Sequence, residues 1–374
     1  RPPGAAVDPR GNQTRLQRLA ASAMTDRGKV DVQVRAGRCV VWSALLVCLA
    51  TLASAQDGTL LVANRAGGSI SFIDLPTGLE LARVPIGPVI PHEVDVSPDG
   101  RRALTSEYGP NGRPGRHVVL IDIASASIIR RIDLGPDSRP HTALFLPDGR
   151  RAVATMQDSD QLALVDLDVG TLIRTYPTGG REGHMVRLSP DGTRAYVTSR
   201  EGDGTLSVIF LDEARPPVVI TTGLGAEGLA VTPDGGEVWV ANRGETSISI
   251  VDTESLEVVA TLGSRPAAGR IGMANGYAIV PNGGRGALVP QYLRLWDVVS
   301  RRLVAEVPIR DGEPEGGNFG VLIQHGTALV SDPGEGTIQA FDLDGLTGRG
   351  PLAIGYDAPD GMAWSPVRLE VVAR

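Results

Sequence analysis

Three histidines each stand six residues ahead of a proline: His92 before Pro98, His141 before Pro147 and His184 before Pro190. Glu227 bears the same relation to Pro233, and counting back from weaker copies of the same turn reaches Asn275, Asn318 and Asp360. Every residue at this register is polar. Neutral imidazoles beside a carboxylate are donors that divalent transition metals accept, with zinc or copper the first candidates where no thiolate competes. The chain has five histidines in all, so three at one register is a concentration that random placement does not explain. The structural alternative is that the register was copied with a repeat and the imidazoles cap loop amides or line a hydrated channel. If a metal is held, it could simply be bound. It could also polarise a carbonyl in a lactonase-like hydrolase or lyase, with Glu227 or Glu107 as general base.

The elements that would position these residues are set by the turns. Ser97-Pro98-Asp99-Gly100, Leu146-Pro147-Asp148-Gly149, Ser189-Pro190-Asp191-Gly192 and Thr232-Pro233-Asp234-Gly235 each separate two apolar runs. Pro presets φ and Gly accepts φ > 0, so each reads as a hairpin turn. Weaker copies fall at Pro281-Asn282-Gly283, His325-Gly326 and Ser365-Pro366. A second marker, an apolar residue followed by Asp, recurs at Asp74, Asp122, Asp166, Asp212, Asp252, Asp297 and Asp342. Two markers with seven copies each make seven units. The clearest unit runs from Gly228 to Leu262 as four short strands rich in β-branched residues, which is one propeller blade. The first unit starts at Thr59 without its innermost strand, and a spare strand, Gly361-Met-Ala-Trp-Ser-Pro, ends the chain. The expected fold is therefore all-β: a seven-bladed β-propeller of four-stranded antiparallel blades, its ring closed by the C-terminal strand.

In such a ring the innermost strands line a central channel, and the polar register forms a circle at one mouth. The second strands return to the same rim, ending at Asn64-Arg65, Glu107-Tyr108, Gln157, Ser199-Arg200, Asn242-Arg243 and Asp332. Arg65, Arg200 and Arg243 there could clamp a carboxylate or phosphate bidentately, with Glu107, Tyr108, Asn275, Asn318 and Asp360 as further ligand contacts. Ordinary solvated arginines are the plainer reading. The longest insertion, Tyr108 to His117, joins this face and is rich in Gly and Pro, as ligand-contacting loops often are.

Trp239-Val-Ala-Asn-Arg, followed by Ile248-Ser-Ile-Val-Asp and Val258-Val-Ala-Thr-Leu, closely resembles the YVTN-repeat β-propellers, the YncE-like family, over about residues 57–368. The resemblance implies the propeller fold and export, and it leaves the activity open. One relative of that family is linked with DNA, which the charge of this chain disfavours. The sixth unit departs most from the pattern, since Ile279-Val-Pro-Asn-Gly-Gly lacks the Ser-Pro-Asp-Gly turn.

Arg35 and Arg38 precede an apolar stretch, Val40 to Leu52, which ends in Ala53-Ser54-Ala55. That order reads as a signal peptide over 34–55 with cleavage near Ala55-Gln56, and implies a periplasmic or secreted protein. Residues 1–33 read as upstream over-extension, and 56–374 as a single propeller domain. Later apolar runs fall short of a transmembrane helix, so no membrane span is expected. Both cysteines, Cys39 and Cys48, and the one lysine, Lys29, precede the cleavage point, which removes thiol and Schiff-base chemistry from the domain. Residues 56–374 carry 28 arginines against 40 acidic residues, about −12, and a surface of that sign repels nucleic acid. Gly223-Leu-Gly-Ala-Glu-Gly228 matches a dinucleotide fingerprint in letters, but it lies between two strands and opens no helix, so no nucleotide cofactor is expected. No Gly-x-Ser-x-Gly elbow supports a serine hydrolase. The leading reading is a binding module for a metal ion or small anionic ligand at the channel mouth. The metal-assisted enzyme comes second, and a platform docking a protein partner on its rim third.

Overall fold

The computed structural model describes residues 57–110, 112–283, 291–310 and 319–369. The expected signal peptide and Asn318 lie outside them. The described residues build seven sheets of four antiparallel strands, in the order of a seven-bladed β-propeller. From blade 1 to blade 7 the innermost strands are Pro359–Ser365, Val94–Val96, Pro140–Phe145, Gly183–Leu188, Ala226–Val231, Gly272–Ala274 and Gly320–Gln324. Pro359–Ser365 pairs with Thr59–Asn64, matching Ser365 to Thr59 and Trp364 to Leu60, so the two ends of the described domain share blade 1 and the ring closes. No helix among the described residues is long and apolar enough to cross a membrane.

The turns work as their residues dictate. The Thr232 hydroxyl donates to Asp234 Oδ1 at 2.6 Å, the same oxygen accepts the Gly236 N–H at 3.0 Å, and Gly235 takes φ = +76°. The second marker is an Asx turn: Asp252 Oδ1 accepts the N–H of Ser255 at 2.7 Å and of Glu254 at 3.2 Å. Because blades stack face to face, the middle strands are buried on both sides. Val-Trp-Val-Ala-Asn of Glu237–Asn242 is wholly buried, while the outermost strand Leu79–Pro85 is mostly exposed. Seven apolar clusters fill the seven seams between blades. Trp239, fully buried, anchors the seam between blades 5 and 6.

The register in blade 6 differs from the expectation. Pro281 and Asn282 lie inside the second strand, Tyr277–Asn282, opposite Leu293 and Tyr292. The turn between the first two strands is instead the two-residue Asn275-Gly276, with φ of +52° and +79°, the conformation that an Asn-Gly hairpin favours. Asn275 is thus at the far end of the channel from the histidines. Counting back from Pro281 fails because this proline is a strand residue and not a turn residue. The pairings of Gly272 with Ile279 and of Leu229 with Val240 put Gly269 at the register of Glu227 and Arg270 one step beyond it.

Candidate functional site

The channel mouth gathers most of the polar register. His92, His141 and His184 stand on consecutive blades with ring centroids 4.5 Å and 3.8 Å apart, tilted at 39° and 45°. His141 and His184 are the second residues of their strands, and His92 stands two residues ahead of Val94–Val96. Tyr108, at the start of the long loop, meets His92 edge-on at 4.6 Å and His141 at 5.1 Å. The guanidinium of Arg139 lies 4.2 Å over the Tyr108 ring, within cation–π range.

Hydroxyls on the preceding blade fix the backbone of these residues. Ser106 donates to the His141 carbonyl at 2.7 Å, Thr155 to His184 at 3.0 Å, Thr198 to Glu227 at 2.6 Å and Ser331 to Asp360 at 2.7 Å. All four hydroxyls occupy one register, the fifth residue of the second strand of each blade. The sequence carries this signal, a Ser or Thr recurring at a fixed place in an otherwise apolar strand.

The carboxylates form a network crossed by arginine. His92 Nδ1 lies 3.0 Å from Asp360 Oδ2 and His184 Nε2 lies 3.2 Å from Glu227 Oε1. Arg270 holds Glu93 Oε1 through Nε at 3.1 Å and Nη2 at 2.6 Å, and also lies 3.7 Å from Glu227 and 3.6 Å from Asp360. Arg65 stands 3.7 Å from Asp360, while Arg200 and Arg243 stand 3.7 Å and 3.6 Å from Glu227. Arg270 was missed by sequence reasoning, because blade 6 offers no Pro-Asp-Gly turn from which to count.

Electrostatics follow from this geometry. Burial pushes the His184 imidazole down to about 4 against the opposing pull of Glu227. Burial, reinforced by His184, His92 and the nearby guanidiniums, pushes His141 well below the usual histidine range. For Asp360 burial acts to raise the carboxyl, but His92, Arg270 and Arg65 outweigh it and hold it low. Glu227 is held low in the same way by His184, Arg270 and Arg200. Among the described residues, His184 Nδ1, Arg200 Nε and Gln157 Oε1 are buried without a hydrogen-bond partner. Such groups are rare in native proteins and gather where a ligand or water completes them.

Glu107 does not join the arc. It binds His117 Nδ1 at 2.7 Å and Arg131 Nη1, both on its own blade. Tyr108 beside it does reach the histidines. Among the described residues, no group of three or more His, Cys, Asp and Glu side chains is arranged to hold a metal ion.

No protein-family model matches the chain. Over 241 residues it is 24% identical to Protein NirF of Stutzerimonas stutzeri, covering 58% of this chain and 59% of NirF. The chain thus spans less than two thirds of that relative. Its fold is similar to a functionally unknown protein from Desulfotomaculum acetoxidans DSM 771, with TM-score 0.67 at 16% identity, over 83% of this chain and 99% of that one. It is also similar to a chain of Kuenenia stuttgartiensis hydrazine synthase, with TM-score 0.58 at 18% identity, over 68% and 77%. At these identities the likeness is one of fold, and fold alone does not carry function.

Proposed function

We propose that the protein is an exported ligand-binding β-propeller whose histidine-lined mouth takes a small molecule bearing carboxylate or phosphate oxygens, without turning it over. One observation carries this reading. Arg65 and Arg200, with side chains 27% and 28% exposed, approach Asp360 and Glu227 only to 3.7 Å, beyond hydrogen-bond length. Their charge is balanced in part while their forked N–H donors stay available to a ligand's oxygens. Glu182 lies 3.4 Å from Arg200 Nη2, so the four arginines Arg65, Arg200, Arg243 and Arg270 face four carboxylates, Glu93, Glu182, Glu227 and Asp360, and the mouth is balanced when the imidazoles are neutral. An arriving anion is therefore held by directional guanidinium donors rather than drawn by a net charge.

A metal remains the second reading, favoured by the neutral state that burial imposes on His141 and His184, the form in which imidazole ligates. Arg270 argues for the anion, since it already supplies the positive charge between the two carboxylates. The test is calorimetry at pH 7.5 with phosphate, oxalate and citrate, beside metal analysis of untagged protein. Saturable anion binding, weakened at least tenfold in Arg200→Ala, supports the proposal. Stoichiometric zinc or copper that is lost in the His141→Ala variant, with no anion binding, would replace it by the metal reading.

A further inference from the structure

Below the mouth the channel opens into a chamber of about 300 Å³, at the small end of the range for ligand sites. Its roof is the Arg270–Glu93 pair. Two charged residues line its interior: Asp95 on Val94–Val96 and Arg187 on Gly183–Leu188. Each lies three residues beyond a histidine of the mouth, His92 and His184, so both sit deeper in the channel than the histidines. The walls are apolar, with Val94, Leu144, Val321 and Met362 among them.

Neither charge is matched. Asp95 Oδ2 accepts the Phe145 N–H at 2.8 Å, and Arg187 Nη1 donates to the Val186 carbonyl at 3.0 Å. Among the described residues neither forms an ion pair within 4 Å, although they are close enough to feel each other's charge. Burial drives the Asp95 carboxyl up to about 6 and the Arg187 guanidinium below its usual value, although both residues stay partly exposed to the chamber.

We propose that this chamber is a second binding site, for a zwitterionic α-amino acid with an apolar side chain. Asp95 takes the ammonium, Arg187 takes the carboxylate, and the aliphatic walls take the side chain. Charge balance selects this class. Asp95 with Arg187 is neutral overall, as is Glu93 with Arg270, so a zwitterion satisfies both inner charges and adds none. A monoamine or a monoacid would bury one uncompensated charge, and an apolar molecule would leave both inner charges unpaired.

The inference is independent of the anion reading at the mouth, and the experiment keeps the two apart. Leucine and methionine are titrated calorimetrically into the full chain beside 3-methylbutylamine and 4-methylpentanoate, which keep leucine's side chain and one charge each. Leucine or methionine is expected to bind at least tenfold more tightly than either analogue. Asp95→Asn and Arg187→Met, each verified as folded by circular dichroism, should each weaken leucine at least tenfold, while Arg200→Ala at the mouth leaves it unchanged. The proposal is overturned if wild-type protein takes up neither amino acid, if 4-methylpentanoate binds as well as leucine, or if Arg200→Ala abolishes leucine binding while Arg187→Met retains it.

Discussion

Arg270 on blade 6 reaches across the channel to Glu93 on blade 2, and its Nη2 lies 2.6 Å from the Glu93 carboxylate although 177 residues separate them in sequence. Opposite sides of the ring are thus joined by a charge pair in its interior. The arginine also stands between Glu227 and Asp360, and its own positive charge is reinforced by all three carboxylates despite burial.

Removing that guanidinium should be among the most damaging single changes in the domain. Arg270→Met leaves three buried carboxylates facing one another, and breaking a buried pair from one side costs about 3–5 kcal/mol. Urea denaturation of the variant at pH 7 should show a lower midpoint by that order. Part of the loss should return on acidification, because burial works to raise the Glu227 and Asp360 carboxyls and Arg270 no longer opposes it. A variant as stable as wild type would mean that the carboxylates are already neutral.

The hydroxyl clamps predict a subtler effect. Thr198→Val keeps the shape but removes the 2.6 Å bond to the Glu227 carbonyl, which costs about 1–2 kcal/mol. If the clamp positions the site as well as supporting the blade, anion affinity at the mouth should fall several-fold. Thr105→Val, which frees the Glu93 carbonyl instead, should cost similar stability with less effect on that affinity. Equal losses of affinity would reduce the clamps to general support.

What the sequence made legible and what it hid divide along one line. The Pro-Asp-Gly and Asx turns are local chemistry, so the seven blades, the closing strand and the register of His92, His141, His184, Glu227 and Asp360 could be read directly. Blade 6 replaces its longer turn with Asn275-Gly276, so counting back from Pro281 lands on the wrong residue and does not reach Arg270. Convergence across the ring is a property of closure: nothing near Glu93 in sequence announces an arginine 177 residues away. The direction of Glu107, towards His117 and Arg131 and away from the arc, depends on side-chain competition that spacing does not record.

Closure itself is testable. Pro359–Ser365 supplies the innermost strand of blade 1, and Ser331 of blade 7 holds the Asp360 carbonyl. A chain ending at Ala358 should expose the unpaired edge of Thr59–Asn64 and aggregate. Size-exclusion chromatography of a monomeric, normally melting truncation would contradict the closure.

The response to acid should expose two buried groups working against each other. The folded His184 imidazole resists protonation until about pH 4, whereas the unfolded one takes a proton near 6.5. Its contribution to stability is therefore complete above pH 6.5 and is lost as pH falls towards 4, by at most about 3 kcal/mol. Asp95 acts in the opposite sense. Its folded carboxyl protonates near 6 and its unfolded one near 3.8, so the penalty of burying its charge is present above pH 6 and is relieved as pH falls to 3.8, again by about 3 kcal/mol. Burial raises the Asp95 carboxyl against the Phe145 and Val96 N–H donors and Arg187, which act to lower it. Wild-type stability between pH 6 and 4.5 should accordingly change less than either group alone would dictate, with His141, depressed like His184, tipping the balance towards loss. Asp95→Asn removes the relief: it should stabilise the protein at pH 7 and steepen its loss on acidification. His184→Gln should flatten or reverse that loss. Urea midpoints measured at pH 7, 6, 5 and 4.5 for the three proteins decide the matter, and parallel curves would show that neither group titrates in this window.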